Sequence, residues 1–284
     1  MATVDLHMHT TYSDGQASAR QLLNGARRKG LTTVAITDHE TGQGSRDGVS
    51  IAKELGLTLI PAIEITVSWP GYTGHGGGPD IDLLGYFIDL DSPALQAHEQ
   101  SALNAYTERA ARVAASVSRV RQPVVVEDVL ETHPTYPGYL ALIQTLQRKG
   151  LARSRAEGAA LIEPAWRAEG VLLGPEEAIA RIHAMGGVAV LAHPAIIHRD
   201  DGELLNERGL GKLIEMGLDG IEVLHYRNNP QQRRHFALLA KMFRLPITGG
   251  SDEHGGPEHF SRLGSEPVTQ EMVSALSERR KARV

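Results

Sequence analysis

Two histidines one residue apart, His7 and His9, close the apolar run Val4-Asp5-Leu6 near the start of the chain. Alternate residues of an extended segment share a face, so both imidazoles can reach one metal ion while Met8 turns away into packing. A lone His-x-His is ambiguous, since two solvated side chains near a frayed end would read the same way. The rest of the sequence changes its meaning. Asp14 follows in a Ser13-Asp14-Gly15 turn, the run Thr33 to Thr37 leads into Asp38 and His39, and Leu59 to Ile63 leads into Glu64. Farther on, Val188 to Ala192 leads into His193, and Gly249-Gly250-Ser251 leads into Asp252 and His254. Singly, each of these residues reads as a turn, a cap or a surface group. Five strand ends that all deliver imidazoles or carboxylates to one rim read as a polynuclear metal site. The chain contains no cysteine, and mixed imidazole and carboxylate donors suit Mn, Fe or Zn better than Ca or a soft metal.

Such a rim requires parallel strands whose carboxyl ends converge, and short apolar runs alternating with helical patterns predict that arrangement. Helices are expected from Ser18 to Gly30, Asp47 to Leu55, Pro175 to Met185, Glu203 to Met216, Pro230 to Phe243 and Thr269 to Arg280. Strands are expected at Thr33 to Thr37, Thr58 to Ile65, Ile81 to Phe87, Val188 to Ala192, Gly220 to Leu224 and Pro246 to Thr248. Between residues 93 and 175 the rhythm breaks into helical pattern, with Pro134, Pro137 and Pro164 as interruptions. That segment reads as a helical subdomain inserted into a barrel formed by residues 1–92 and 176–284. The 284 residues fit one α/β barrel. A net charge of -5 gives no broad basic field for duplex nucleic acid or an anionic membrane. No apolar leader and no run of transmembrane length is present, so a cytoplasmic protein is expected.

The motifs His7-Met8-His9-Thr10, Ser13-Asp14-Gly15, Thr37-Asp38-His39, Glu64-Ile65, Leu84-Gly85-Tyr86, Ala192-His193-Pro194 and Gly250-Ser251-Asp252-Glu253-His254 together resemble those of the PHP (polymerase and histidinol phosphatase) superfamily. Within it, the arrangement is similar to stand-alone phosphoesterases that act on nucleotides, including 3',5'-bisphosphate nucleotide phosphatases and 5'-to-3' exoribonucleases. The resemblance implies a distorted (β/α)7 barrel with a helical insertion and two or three divalent metal ions. It implies that His7, His9, Glu64 and Asp252 hold one ion, that Glu64 bridges to a second held by His193, and that Asp14, His39 and His254 hold a third. Three departures stand out. Asp82 occupies the position, two residues ahead of Leu84, where the family usually has histidine. Asp82 could serve there as an oxygen ligand, His75 of the glycine-rich loop could supply the missing imidazole, or the position could be weak. Glu40 stands where an aspartate usually follows the Asp-His pair, and Glu131-Thr132-His133 retains the Thr-His pair of the insertion without its preceding arginine.

The chemistry this implies is hydrolysis of a phosphate monoester by metal-activated hydroxide, with the ions relieving charge on the phosphoryl oxygens. His254 and His225, read as rim histidines, are the candidates for protonating the leaving alcohol. Arg109, Arg112, His133 and Arg227 are candidates for a second anionic group, because a guanidinium fork matches phosphate. Tyr139 and Tyr226 are candidates to stack a base. The expected partner is a small phosphorylated molecule, in the first instance a nucleotide. Histidinol phosphate or another small monoester, and a non-catalytic binding domain, are the competing readings. The runs Gly74 to Gly78 and Gly249-Gly250 lack the lysine and spacing of a phosphate-cradling motif and read as a flexible loop and a tight turn.

Overall fold

The computed structural model describes residues 3–74, 80–118, 123–169, 173–255 and 260–283. The strands are β1 (Val4–Asp5), β2 (Thr33–Ile36), β3 (Thr58–Ser68), β4 (Tyr72–Thr73), β5 (Asp80–Tyr86), β6 (Val188–Leu191), β7 (His198–Arg199), β8 (Gly220–Leu224) and β9 (Ile247–Gly249). The helices are α1 (Ala19–Arg28), α2 (Gln43–Leu55), α3 (Pro93–Ser118), α4 (Val126–Leu130), α5 (Tyr139–Arg148), α6 (Arg155–Glu169), α7 (Pro175–Ala184), α8 (Glu207–Glu215), α9 (Pro230–Phe243) and α10 (Gln270–Lys281). Seven strands form one sheet in the order β1-β2-β3-β5-β6-β8-β9, and β4 pairs with β7 as a separate ribbon. The sheet curls into a nearly closed barrel. Met8 bridges to Glu253 just beyond β9, and His9 N–H donates to the Glu253 carbonyl at 3.0 Å, so the two edges meet.

Local signals explain the elements that frame the site. Ser18 caps α1 with a reciprocal bond to Gln21, and Asn229 does the same for α9 through Gln232, with Pro230 at the first helical position. Helix α2 stops at Gly56, whose φ of 68° is the left-handed conformation that terminates helices at little cost. Every residue of β2 and β6 is buried, as expected for inner strands of a sheet covered on both faces.

The structure corrects four expectations. Strand β5 is antiparallel to both neighbours, so the sheet is mixed. Strand β3 continues to Ser68, which places Glu64 within the strand and not at its end. Helix α8 begins only at Glu207, capped by Asn206, because a 3-10 turn (Pro194–Ile196) and β7 occupy the preceding chain. Pro164 lies inside α6; full burial of Ile162 and the packing of Trp166 outweigh the roughly 3 kcal/mol that an interior proline costs.

The core is layered. Ala62, Leu84, Tyr86, Val188 and Val190 belong to one buried cluster that Val273 and Leu276 of α10 also join. Continuing the same alternation, the next residues are Glu64 on β3 and Asp82 on β5. One face of the sheet therefore passes from an apolar floor into carboxylates at the mouth. Helices α3 to α6 bury a cluster of their own around Val113, Val129, Leu142, Leu146 and Ile162.

At the opposite rim, Asp219 ties α10 and α7 to the barrel. Its buried carboxylate accepts from His183 Nε2 at 2.8 Å, Ala189 N at 3.0 Å, Arg283 Nη1 at 2.9 Å and Arg279 Nε at 3.3 Å. Burial would raise its pKa, but the bonds from His183 and Ala189 and the nearby Arg283 charge leave it below the usual carboxylate range. A depressed folded pKa gives stability that is present above the unfolded value and lost as pH falls through the folded one. Asp219→Asn is therefore expected to cost about 2 kcal/mol at neutral pH. In urea melts, the gap from wild type should close as pH drops below about 4; a gap independent of pH would contradict this account.

Candidate metal centre and substrate cleft

The donors are held by backbone that has few alternatives. Asp38, buried at the end of β2, accepts from Thr10 N at 2.6 Å, Thr10 Oγ1 at 2.6 Å and Ser13 Oγ at 2.7 Å. It anchors the loop that carries His9 and Asp14 and is spent on that task. Gly250 brings the segment after β9 against β1 so closely that a Cβ there would lie 2.4 Å from His7 N. The Gly249-Gly250 pair is thus a close approach of two strands, not the tight turn the sequence suggests. Glu40, His193 and Asp252 have φ of 60°, 25° and 49°, a region costly for residues with a Cβ and concentrated at functional sites.

Glu64 stands at the centre, 1% exposed. Its oxygens lie 3.1 Å from His193 Nε2, 3.2 Å from His9 Nε2, 3.3 Å from His7 Nε2 and 3.5 Å from His39 Nε2. Asp252 Oδ1 lies 3.3 Å from His254 Nδ1, 3.5 Å from His9 Nε2 and 3.7 Å from His7 Nε2, while its Oδ2 is 3.4 Å from His225 Nε2. Asp14 lies 3.1 Å from His254 Nε2, 3.5 Å from His9 Nδ1 and 3.9 Å from His39 Nε2. Five overlapping donor groups result among the described residues: His9-Asp14-His39-His254, His7-His9-Asp252, His7-Glu64-His193, His39-Glu64-Asp82 and, behind His7, His7-Glu222-His225. His7, His9, Asp14, His39, Glu64, Asp82, His193, Asp252 and His254 thus come together, whereas His75 lies outside the described residues.

These contacts fit metal ions better than they fit one another. His9 Nε2 and His225 Nε2 are buried beside carboxylate oxygens, yet neither makes a hydrogen bond. His7 and His193 bond Glu64, but ring nitrogens left buried without a partner among carboxylates are what a coordinated ion would satisfy. The electrostatics agree. Burial alone would raise Glu64 and Asp252, but His39 and His7 around the first and His254 beside the second hold both well below the carboxylate range. Burial disfavours a charged imidazole, yet Glu64 and Asp14 lift His39 to about 9, and Asp14 and Asp252 lift His254 to about 10. The carboxylates demand positive charge, and metal binding would release the protons that otherwise supply it.

Support comes from residues that sequence patterns do not mark. Glu222, fully buried in β8, meets His7 Nδ1 at 3.0 Å and accepts from His193 N at 2.8 Å. It orients a histidine on its far side from the cluster, the usual outer partner of a ligating imidazole. A carboxylate within the apolar run Gly220 to Leu224 was its only signal. His225 is fully buried beside Asp252, so it lies in the floor of the cluster and not on the open rim; His254, 26% exposed, is at the rim.

Over the cluster opens a cleft of about 590 Å³. The helical segment forms one wall: Tyr136 stacks on His39 with centroids 5.4 Å apart, and Tyr139 meets Trp166 edge-on at 5.5 Å. Arg109 lines the cleft, but its guanidinium lies 3.6 Å beneath Trp166, donates to the Trp166 carbonyl at 2.7 Å and is 4% exposed. It supports the wall and is not free to grip an anion. Arg112 lies away from the cleft, 3.6 Å from Glu108, and the half-buried His133 is likewise outside it, beside Thr132. Arg227 and Arg262 also line the cleft and flank Tyr226 at 5.3 and 4.4 Å, and no ion pair among the described residues holds either guanidinium. Arg262 was invisible to sequence reading because only the fold brings it beside residue 226.

The PHP domain model matches residues 5–160. A 5'-3' exoribonuclease of Haemophilus influenzae is 30% identical over 263 residues, covering 88% of this chain and 89% of its own. A 3',5'-nucleoside bisphosphate phosphatase of Chromobacterium violaceum is 27% identical, with 93% and 91% covered. The solved structure of a candidate metal-dependent phosphoesterase from Bifidobacterium adolescentis superposes with a TM-score of 0.81 at 28% identity, covering 98% of this chain and 96% of that one.

Proposed function

The chain belongs to the PHP domain family and is a metal-dependent phosphoesterase, and we propose that its substrate is a phosphate monoester on a nucleotide, either a 3',5'-bisphosphate or the 5' end of an oligonucleotide. The observation that carries the reading is the pairing of two features in one cleft that also has an aromatic wall: four imidazoles around Glu64, and two guanidiniums, Arg227 and Arg262, that no ion pair among the described residues holds. A substrate with one phosphate and a small polar body would use the first and leave the second idle. The reading of a non-catalytic binding domain gives way, because Asp82, the departure that would mark a lost ligand, is buried in the cluster with Glu64 and His39.

We assign His7, His9, Asp14, His39, Glu64, Asp82, His193, Asp252 and His254 as holders of two or three divalent ions. When bound, such ions acidify water and offset charge on a phosphoryl group. The rest falls to the chain. Glu222 fixes the tautomer of His7 by occupying its Nδ1. His254, whose ring nitrogens face Asp14 and Asp252, serves as a ligand and not as the donor of a proton to the leaving alcohol, and His225 positions the Asp252 carboxylate from below. Arg227 and Arg262 hold the second anion, and Tyr139, in the aromatic wall, is the ring on which the base stacks. Residues 93–175 act as the insertion that builds this aromatic wall.

Phosphate release with Mn2+ from a nucleotide 3',5'-bisphosphate and a 5'-phosphorylated oligonucleotide, compared with histidinol phosphate, tests this. The nucleotides should be preferred, and Arg227→Ala or Arg262→Ala should raise KM for them about tenfold with kcat little changed. Equal turnover of histidinol phosphate, untouched by either substitution, would overturn it.

A further inference from the structure

The two departures within the rim motifs, Glu40 and Asp82, are joined in the fold by one residue. Thr66 lies opposite Asp82 in the β3–β5 register, and its hydroxyl donates to Asp82 Oδ1 at 2.7 Å. Its backbone N–H donates to Glu40 Oε1 at 2.9 Å. Glu40 is itself fixed: it is 4% exposed, its φ is 60°, Tyr106 Oη donates to Oε1 at 3.3 Å, and Oε2 lies 3.0 Å from His98 Nε2. Held at Oδ1, the Asp82 carboxylate presents Oδ2 to the cluster 3.6 Å from His193 Nε2 and converges with Glu64 and His39.

We propose that Glu40, Thr66 and Asp82 form a brace that presents a carboxylate oxygen to the ion position walled by His39, Glu64 and Asp82, so that this position is shifted away from Zn2+ and toward a hard divalent ion, Mn2+ or Mg2+, relative to one with an imidazole at residue 82. The inference rests on reading the cluster as a metal centre. Its physical basis is donor chemistry. An imidazole at position 82 would make the set nitrogen-rich and suited to zinc, whereas a second carboxylate beside Glu64 shifts it toward ions that prefer oxygen. Orientation matters as much as identity, because a ligating carboxylate needs its other oxygen bonded to hold its lone pairs on the ion. Thr66 supplies that bond, and Glu40 fixes Thr66. In this brace Glu40 and Thr66 are positioning residues.

The test is metal binding to the stripped full-length protein, without assaying turnover. Mn2+ uptake is followed by the loss of the free-ion paramagnetic resonance signal, and retention against equimolar Zn2+ is measured by elemental analysis. Asp82→His is expected to lower the Mn:Zn ratio about tenfold or more, and Thr66→Val, which removes no donor from the cluster, to weaken one class of Mn2+ site about 10- to 100-fold. Thr66→Ser keeps the hydroxyl and should restore wild-type uptake, which separates loss of the bond from loss of folding. An unchanged ratio in Asp82→His, or wild-type Mn2+ affinity in Thr66→Val, would overturn the brace. Absence of any Mn2+ or Zn2+ uptake by the wild type would instead overturn the metal-centre reading on which it rests.

Discussion

Glu64→Gln is expected to empty most of the ion positions and to lower phosphoesterase turnover by a factor on the order of 10³ or more. The size follows from position. Glu64 lies against His7, His9, His39 and His193 from both of its oxygens and belongs to two of the donor groups, and the amide removes the charge that these imidazoles share while leaving the volume unchanged. It also turns one acceptor oxygen into a donor facing imidazole nitrogens. Elemental analysis and kcat on the same preparation check the result together. Full metal content with low kcat would mean that Glu64 acts on the substrate and not on the ions. Wild-type values of both would remove it from the site altogether.

Gly250→Ala, although it alters no ligand, is expected to be nearly as damaging. The added carbon would lie 2.3 Å from His7 Cβ and 2.4 Å from His7 N, and the obstacle is backbone that cannot rotate aside. Either the segment carrying Asp252 and His254 retreats or β1 does, and each movement separates His7 and His9 from Asp252. Overpacking of this kind costs about 3 kcal/mol. Denaturant midpoints should fall accordingly, and metal content should fall with them. A variant of wild-type stability and full metal content would show that the two strands can part without opening the cluster.

Residue type at strand ends is a local property, which is why His7, His9, Asp14, His39, His193, Asp252 and His254 were legible in the sequence. Strand direction is not local. The run from Ile81 to Phe87 reads alike forwards and backwards, so nothing in it announced that β5 is antiparallel and that Asp82, early in its strand, would arrive at the same rim as residues late in theirs. Glu222 was hidden by the apolar residues around it, although that very context should mark a carboxylate as partnered. Thr66, Tyr136, Trp166 and Arg262 carry no motif and become visible only when distant segments meet. Arg109 shows the reverse error: its type suggested an anion site, but burial under Trp166 commits it to packing.

The seam between the two edges of the barrel has a consequence for how the protein is made. Met8 and Glu253 stand near opposite ends of the chain, and the bonds that join them close a loop containing almost all of it. Such a contact forms late, because the entropy of closing the loop is met only after the intervening strands have assembled. During synthesis His7, His9, Asp14, His39 and Glu64 therefore emerge as an incomplete set that waits for Asp252 and His254. An ion held by ligands from both sides of the seam would clasp it, so closure of the barrel and metal binding are expected to be coupled.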